Sequence, residues 1–167
     1  MKNLLLSITL ICSTASFACP DFSANYTVKK CSFKDSGAFT PDPLYTKLKY
    51  GKNIEITQIG CNKLNIEGES DYNSQDAVIH LKNLELQNSN EKVTVKKYKE
   101  TDDSIMVSYK IKQYGSTSLE NTKTKFKVRL KKLSDNLIEI SQKTYEKNLL
   151  TLGMWRKGTA VKCVLSF

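Results

Sequence analysis

The amino-acid sequence predicts an all-β protein, an antiparallel up-and-down β-barrel of about eight or nine strands. Apolar and polar residues alternate with a period of two along most of the chain after residue 18, as expected for half-buried strands. Clusters of Gly, Asn, Asp and Ser separate these runs at a spacing typical of short strands in sandwiches and barrels. The sequence contains no long run with helical periodicity.

Residues 1–18 are predicted to be a cleavable signal peptide. Lys2 is followed by an apolar run at 4–12, and small side chains then precede a cut after Ala18. A membrane anchor is the alternative, but the apolar run is shorter than the roughly 20 residues that a spanning helix needs. We therefore expect a secreted or periplasmic protein in which residues 19–167 form a single disulfide-stabilised β-barrel domain.

The alternating runs predict the strands in order. The clearest run is Lys125–Lys131, in which Phe126, Val128 and Leu130 point to one face and the basic residues to the other. A short helix is predicted only at residues 43–49. The predicted strands lie at 25–33, 54–59, 64–67, 77–86, 93–96, 105–112, 125–131, 138–140 and 161–167.

Alternation alone does not say whether the apolar face points inward or outward. An outer-membrane barrel, with its apolar face toward lipid, is the alternative, and the last strand with its terminal Phe167 resembles the C-terminal strand of such barrels. However, the polar face consists mostly of lysine without matching acids, and a lumen lined in that way is costly. The aromatic residues also do not cluster at both ends of the strands, as they do in the two aromatic girdles of outer-membrane barrels. We therefore predict an apolar interior and a protein that does not span the membrane.

The cysteine count predicts two disulfides. Of the five Cys, Cys12 leaves with the signal peptide, and an even number in an exported chain typically pairs completely. If the first two strands are antiparallel, the end of the second, at Cys61, lies near the start of the first, at Cys19. This favours Cys19–Cys61 with Cys31–Cys163. Lipidation of Cys19 is the alternative, and it leaves an odd thiol in an oxidising compartment.

The strand pattern resembles that of the lipocalin-type, or calycin, secreted β-barrels. Residues Phe22–Tyr26 lie where that family has a Gly-x-Trp sequence at the start of strand one, although the glycine and the tryptophan are absent. Cys163 is similar to the cysteine that ties the tail of that family to its barrel. The resemblance implies a closed barrel with a cavity for a small ligand. It also implies the pairing Cys61–Cys163, so the connectivity stays open on the sequence alone.

The chain is basic. With Lys2 removed, its 26 basic residues become 25 against 17 acidic ones, a net charge of +8. The strongest surface feature is a stripe of alternate basic residues, about 6.6 Å apart on one strand. We predict that it is a solvated face, and the alternative is an anion-binding face. Its members are Lys125, Lys127, Arg129 and Lys131, and Lys96, Lys110 and Lys112 are expected to extend it. We predict no specific nucleic-acid binding, because only Tyr98 and Tyr114 are available for stacking.

No enzymatic site is predicted. His80 is the only histidine, and its parity is opposite to that of Ile79 and Leu81, so we expect it on the exterior. The sequence contains no nucleophile elbow, no Gly-rich phosphate loop and no HExxH motif. Two pairs of nearby acids, Asp102–Asp103 and Glu67 with Glu69, offer no further support for catalysis. We predict no cofactor and no metal, because closely spaced Cys and His are missing.

Residues 149–157 interrupt the alternation with an apolar segment. We predict that it caps one end of the barrel, and the alternative is an exposed lip formed by Leu152, Met154 and Trp155. The favoured function is an exported barrel that binds a small hydrophobic ligand. The first alternative is a cell-envelope interaction protein that binds an anionic envelope component through its basic face. The second alternative is a small outer-membrane barrel.

Overall fold

The structure is a computed structural model. It describes residues 19–34, 43–50, 52–68, 77–82, 85–87, 89–115, 121–148 and 152–167. The predicted signal peptide, residues 1–18, lies outside these ranges.

The described residues form ten strands and a single helix. The helix, α1, covers Pro43–Tyr50, so the predicted short helix is confirmed, and Pro43 occupies its first position, where proline is favoured. The strands are β1 Ala24–Lys34, β2 Asn53–Ile59, β3 Lys63–Gly68, β4 Ala77–His80, β5 Glu85–Gln87, β6 Glu91–Thr101, β7 Ser104–Gln113, β8 Thr122–Ser134, β9 Leu137–Lys147 and β10 Arg156–Ser166.

All ten strands belong to one antiparallel sheet with the order β4-β3-β2-β1-β10-β9-β8-β7-β6-β5. The prediction of an all-β antiparallel fold is therefore confirmed, and the sheet curls into a half-barrel. Consecutive strands pair with each other except β4 and β5, and the first and last strands also pair. The two edges of the half-barrel are β4 and β5, which follow each other in the chain but lie at opposite ends of the strand order.

The strand count exceeds the predicted eight or nine because the run at 77–86, predicted as one strand, is divided. The backbone N–H of Leu81 donates to the carbonyl of Asn62, at 2.7 Å, so the chain stays beside β3 up to that residue. Leu86 then pairs with Val93 of β6, so β5 forms the opposite edge of the sheet. Alternation is a local signal and does not report a change of partner strand.

The concave face of the half-barrel carries the core. Helix α1 packs there against β1, β3, β4 and β10 and buries Leu44 and Leu48. From the other side, the Tyr109 ring stacks on Phe126 at 4.8 Å, and its hydroxyl donates to the carbonyl of Val78, at 3.4 Å. These contacts bring β7 against β4 across the interior. Other buried members of this core are Ile54, Ile56, Leu64, Ile66, Ile79, Ile105, Val107, Val128, Leu130, Ile138, Ile140, Val161 and Leu165.

The apolar face is therefore the inner one, as predicted, and the lysine-bearing face points outward. In β8, for example, Val128 and Leu130 are buried, whereas Lys127 and Arg129 between and beside them are exposed. This orientation is opposite to that of an outer-membrane barrel, which turns its apolar residues toward lipid. Within the described residues, α1 is too short and too polar to cross a membrane.

Two disulfides join the chain, as the cysteine count predicts. Cys19 pairs with Cys61 across 42 residues, and Cys31 pairs with Cys163 across 132 residues. This is the connectivity favoured by strand direction, and it differs from the Cys61–Cys163 pairing implied by the family resemblance. The second disulfide joins residues that are directly opposite each other on β1 and β10. The two disulfides fit an oxidising location outside the cytoplasm.

Removing the Cys31–Cys163 disulfide should destabilise the fold more than removing Cys19–Cys61. The entropy of loop closure predicts losses of about 5 and about 4 kcal/mol for the paired Cys→Ala variants, because the first disulfide closes the longer loop. Cys163 is also fully buried, so its truncation leaves a cavity that acts in the same direction. Urea unfolding of both double variants and the oxidised parent measures the two losses. A larger loss for C19A/C61A would contradict this assignment.

Candidate functional site: a basic face on the outer side of the sheet

The three adjacent strands β7, β8 and β9 turn a continuous set of basic side chains outward. Because side chains alternate across a strand, burying the apolar residues of β8 places its basic residues on the opposite face. The neighbouring strands β7 and β9 add basic residues that lie directly opposite those of β8. We call this set the basic face, and its members are Lys110, Lys112, Lys123, Lys125, Lys127, Arg129 and Lys143.

Basic residues of this face lie directly opposite one another. On β7 and β8, Lys110 pairs with Lys125 and Lys112 pairs with Lys123. On β8 and β9, Lys127 pairs with Lys143. The Cβ atoms of directly opposed residues are about 4.5–5.5 Å apart, and like charges in such pairs destabilise a sheet. The charge on this face therefore opposes the stability of the strands that carry it.

Carboxylates are found only at the margin of the face in the described part of the chain. Glu139 binds Lys162 of β10 at 2.9 Å, and Asp103 lies 4.0 Å from Lys131 at the β6–β7 turn. Lys131 also lies opposite Glu139, so the end of the predicted stripe is compensated. Over the described ranges, no ion pair involves the seven members of the basic face. Its positive charge is therefore available to an external anion.

Aromatic rings lie among these cations. Tyr145 of β9 is 5.3 Å from the Nζ atom of Lys127 and 6.0 Å from that of Lys125. Tyr114 is 4.2 Å from the Nζ atom of Lys112. Such contacts hold an ammonium group over a ring without neutralising its charge. Tyr98, the other aromatic residue considered from the sequence, lies opposite Val107 on the inner side and contacts Lys82 instead.

Two adjoining depressions open on the outer side next to the basic face. One, of about 280 Å³, is lined by Lys143, Tyr145 and Lys157 and by the bulge of β10 at residues 158–160. The other, of about 460 Å³, shares Lys34 and Lys143 with the first and extends to Arg129 and to the Lys162–Glu139 ion pair. The bulge needs Gly158, because a Cβ atom there would lie against the Thr144 hydroxyl. Both depressions are concave and lined mainly by basic side chains, and Glu139 is the carboxylate that lines the larger one.

The segment predicted to cap the barrel is exposed in its described part, so the capping prediction is wrong for residues 152–157. Leu152 is 82% exposed, Met154 60% and Trp155 40%. Residues 149–151 lie outside the described ranges. Trp155 turns toward the outer side, where the Nζ atom of Lys110 lies 5.4 Å from its ring. The alternative, an exposed lip, matches this placement, and we call residues 152–155 the β9–β10 tip.

The alternation of the strand predicted His80 on the exterior, and this prediction is wrong. Its side chain is buried, with 8% of its surface exposed. Its ring meets Tyr109 edge-on at 5.5 Å, because β4 packs across the concave face toward β7. Its Nδ1 atom is buried and has no hydrogen-bond partner. Burial lowers the pKa of the His80 imidazole, and the charge of Lys63 on the neighbouring strand lowers it further. A neutral imidazole buried against aromatic rings is a packing group here.

The described residues contain no cluster of three His, Cys, Asp or Glu side chains that could hold a metal ion. The carboxylate pair at Asp102–Asp103 lies in the β6–β7 turn, as expected, and Glu69 lies outside the described ranges. On the concave face, the described core side chains pack against one another, and the depressions beside the basic face open on the opposite side of the sheet. The predicted barrel ligand thus stays a prediction. Comparison with protein-family models, with curated proteins and with solved structures gives no match.

Sequence reasoning located the stripe on β8 and its extension to Lys110 and Lys112. It missed Lys143 and Tyr145, because β9 has the polar residues Gln142 and Thr144 at inward positions and its alternation is hidden there. It also expected Lys96 in the face. The strand β6 has an irregularity between Val95 and Lys97, so the register places Lys97 opposite Ser108 of β7 instead.

Replacing one member of an opposed lysine pair should stabilise the protein. Lys143→Gln removes the repulsion with Lys127, and we expect the free energy of unfolding to rise by about 0.2–1 kcal/mol at low ionic strength. The gain should shrink in about 1 M salt, where the screening length is about 3 Å. Lys29→Gln at the irregularity of β1 is the control, and it should change stability little. A salt-independent effect of Lys143→Gln, measured by urea unfolding, would contradict the repulsion.

The buried His80 should make the fold acid-sensitive. Its pKa is lowered in the folded state, whereas the unfolded chain titrates near 6.5. Above pH of about 6.5 both states are neutral, and as the pH falls below that value the unfolded state takes up a proton first, so stability is lost. Urea midpoints between about pH 7.5 and 5 should therefore fall more steeply for the parent than for His80→Phe. Parallel curves for the two proteins would refute this linkage.

Proposed function

We propose that this protein binds anionic surfaces outside the cytoplasm through its basic face. The observation that carries the proposal is the set of directly opposed lysines on β7, β8 and β9, with carboxylates only at the margin. A solvated face needs charge for solubility, but it does not need like charges in register across neighbouring strands. An anionic partner turns this unfavourable arrangement into a favourable one, because it binds the folded state and offsets the repulsion.

The shape of the face supports an extended partner rather than a single small ion. The opposed pairs cover three strands, which are spaced about 4.8 Å apart, and the pairs repeat about every 6.6 Å along them. The lysine-lined depressions then give individual phosphate, sulfate or carboxylate groups local positions within that area. Anionic lipid headgroups and anionic polymers share this repeated-charge chemistry, and electrostatic attraction to both is expected to be long-ranged and salt-dependent.

The rival function, binding of a small hydrophobic ligand in the barrel, has less support. The described concave face is occupied by α1 and by the contact of β7 with β4. Native mass spectrometry of protein purified without detergent tests it, and a retained apolar molecule would favour it. The outer-membrane alternative is disfavoured by the outward position of the lysines.

The proposed function predicts salt-dependent binding that depends on the basic face. Lys125→Gln, Lys127→Gln and Lys143→Gln together should weaken binding to anionic vesicles or to polyphosphate by about 100-fold at low salt, at about 1 kcal/mol per lysine near an anionic surface. Binding of the parent should also fall steeply between about 0.02 and 0.5 M NaCl. Sedimentation with vesicles and fluorescence anisotropy with labelled polyphosphate measure the two interactions.

A matched control removes the same charge elsewhere. The control carries Lys29→Gln, Lys30→Gln and Lys52→Gln. These three lysines are exposed, the first two in β1 and the third just before β2, and they are not members of the opposed pairs. This variant should retain most of the binding. Equal losses in both triple variants would mean that net charge alone governs binding. Absence of binding to both partners at low salt would refute the proposed function.

A further inference from the structure

We infer that the anionic surface is a phospholipid bilayer and that the β9–β10 tip enters its interfacial region. This inference rests on the proposed function and names the partner of the same face. A polyanion in solution would need only the cations. The tip adds exposed apolar side chains, Leu152 and Met154 together with the ring of Trp155, next to those cations.

The position of the tip relative to the basic face supports a planar partner. Trp155 precedes β10, which is separated from β7 by β9 and β8, yet its ring lies 5.4 Å from the Nζ atom of Lys110 of β7. The tip is therefore turned toward the outer side of the sheet, beside the level at which Lys110, Lys125 and Tyr145 lie in register. A surface that contacts these lysines also meets the tip.

The chemistry of the tip matches the bilayer interface. Tryptophan and tyrosine rings are favoured at the headgroup level, where one part of the ring is apolar and the other is wet. Leucine and methionine gain free energy when they leave water for the headgroup–acyl boundary. Lysines beside them attract anionic headgroups. Apolar insertion combined with a basic face is the arrangement of proteins that bind the surface of an anionic membrane.

The backbone of the tip provides a second, independent observation. Leu152 has a φ of 51°, and Gly153 follows with a φ of 71°. A left-handed conformation is costly for leucine and is suited to glycine or asparagine. An 82% exposed leucine in that conformation contributes little to packing or to turn formation. Contacts within the protein do not explain an apolar side chain at position 152, whereas contact with a binding partner does.

The experiment uses the fluorescence of Trp155, the only tryptophan of the chain. The protein is titrated with vesicles of phosphatidylcholine alone, with vesicles that also contain phosphatidylglycerol, and with polyphosphate. We expect a blue shift of the emission maximum with the phosphatidylglycerol vesicles only. We also expect quenching of Trp155 when those vesicles carry brominated acyl chains, which reports depth rather than a change elsewhere in the protein.

The paired variant Leu152→Asn and Met154→Gln keeps Trp155 and allows the turn its preferred residue at position 152. It should bind phosphatidylglycerol vesicles at least about tenfold more weakly, since two apolar side chains no longer enter the interface. Its binding to polyphosphate should be unchanged. The matched control is Leu133→Asn, which replaces a 46% exposed leucine of β8 next to the β8–β9 turn, at the other end of these strands. This control should bind both partners like the parent.

The outcomes separate this inference from the proposed function. Binding to vesicles without a blue shift or quenching, or binding to polyphosphate but not to vesicles, would overturn the insertion of the tip and leave the basic face as the binding site. Equal loss of vesicle binding in the tip variant and in Leu133→Asn would also overturn it. Failure to bind either partner at low salt would remove both proposals.

Discussion

Pairing of the first strand with the last is the constraint on which the rest of the structure depends. Strands β1 and β10 lie side by side in the middle of the sheet, and the Cys31–Cys163 disulfide joins two residues that are directly opposite in that pair. Because the first and last strands pair with each other, they are not the edges of the sheet. The edges are β4 and β5, which follow each other in the chain but do not pair. The Cys19–Cys61 disulfide ties the segment before β1 to the end of β2. Both disulfides therefore reinforce the same half of the sheet.

The curled sheet separates an apolar inner side from a basic outer side. Its concave side is filled by apolar side chains, by α1 and by the contact of Tyr109 with β4. Each fully buried aliphatic residue contributes about 1.5–3 kcal/mol, whereas a pair of opposed like charges costs about 0.2–1 kcal/mol. The core of β7, β8 and β9 includes Val107, Val128, Leu130 and Ile140, so these strands can carry several opposed lysine pairs and remain folded. The residues of the outer side therefore need not contribute to the stability of the fold.

The basic face and the β9–β10 tip are coupled through the geometry of one strand pair. Strands β9 and β10 are joined through the tip, and β9 also supplies Lys143 and Tyr145 to the outer side. The irregularity of β10 between Lys157 and Ala160 lies just after the tip and lines one of the lysine-lined depressions. Because a bulge bends its strand and increases the local twist, it affects both the direction of the tip and the shape of that depression.

Much of the architecture followed from the sequence itself. The alternation in Lys125–Lys131 determined which side of β8 is basic, because successive side chains in a strand point to opposite faces whatever their neighbours are. The four cysteines that follow residue 18 predicted two disulfides, and strand direction favoured the observed pairing, whereas the family resemblance implied Cys61–Cys163.

Only the tertiary structure decided the features that depend on distant parts of the chain. The burial of His80 requires β7 to pack across the concave face, and the split of the run at 77–86 requires its two halves, β4 and β5, to lie at opposite edges of the sheet. The meeting of Lys143 with Lys127, and of Trp155 with Lys110, depends on strand register and on the path of the tip. Alternation is a property of neighbouring residues, whereas partner strands and register are set by contacts between residues far apart in sequence.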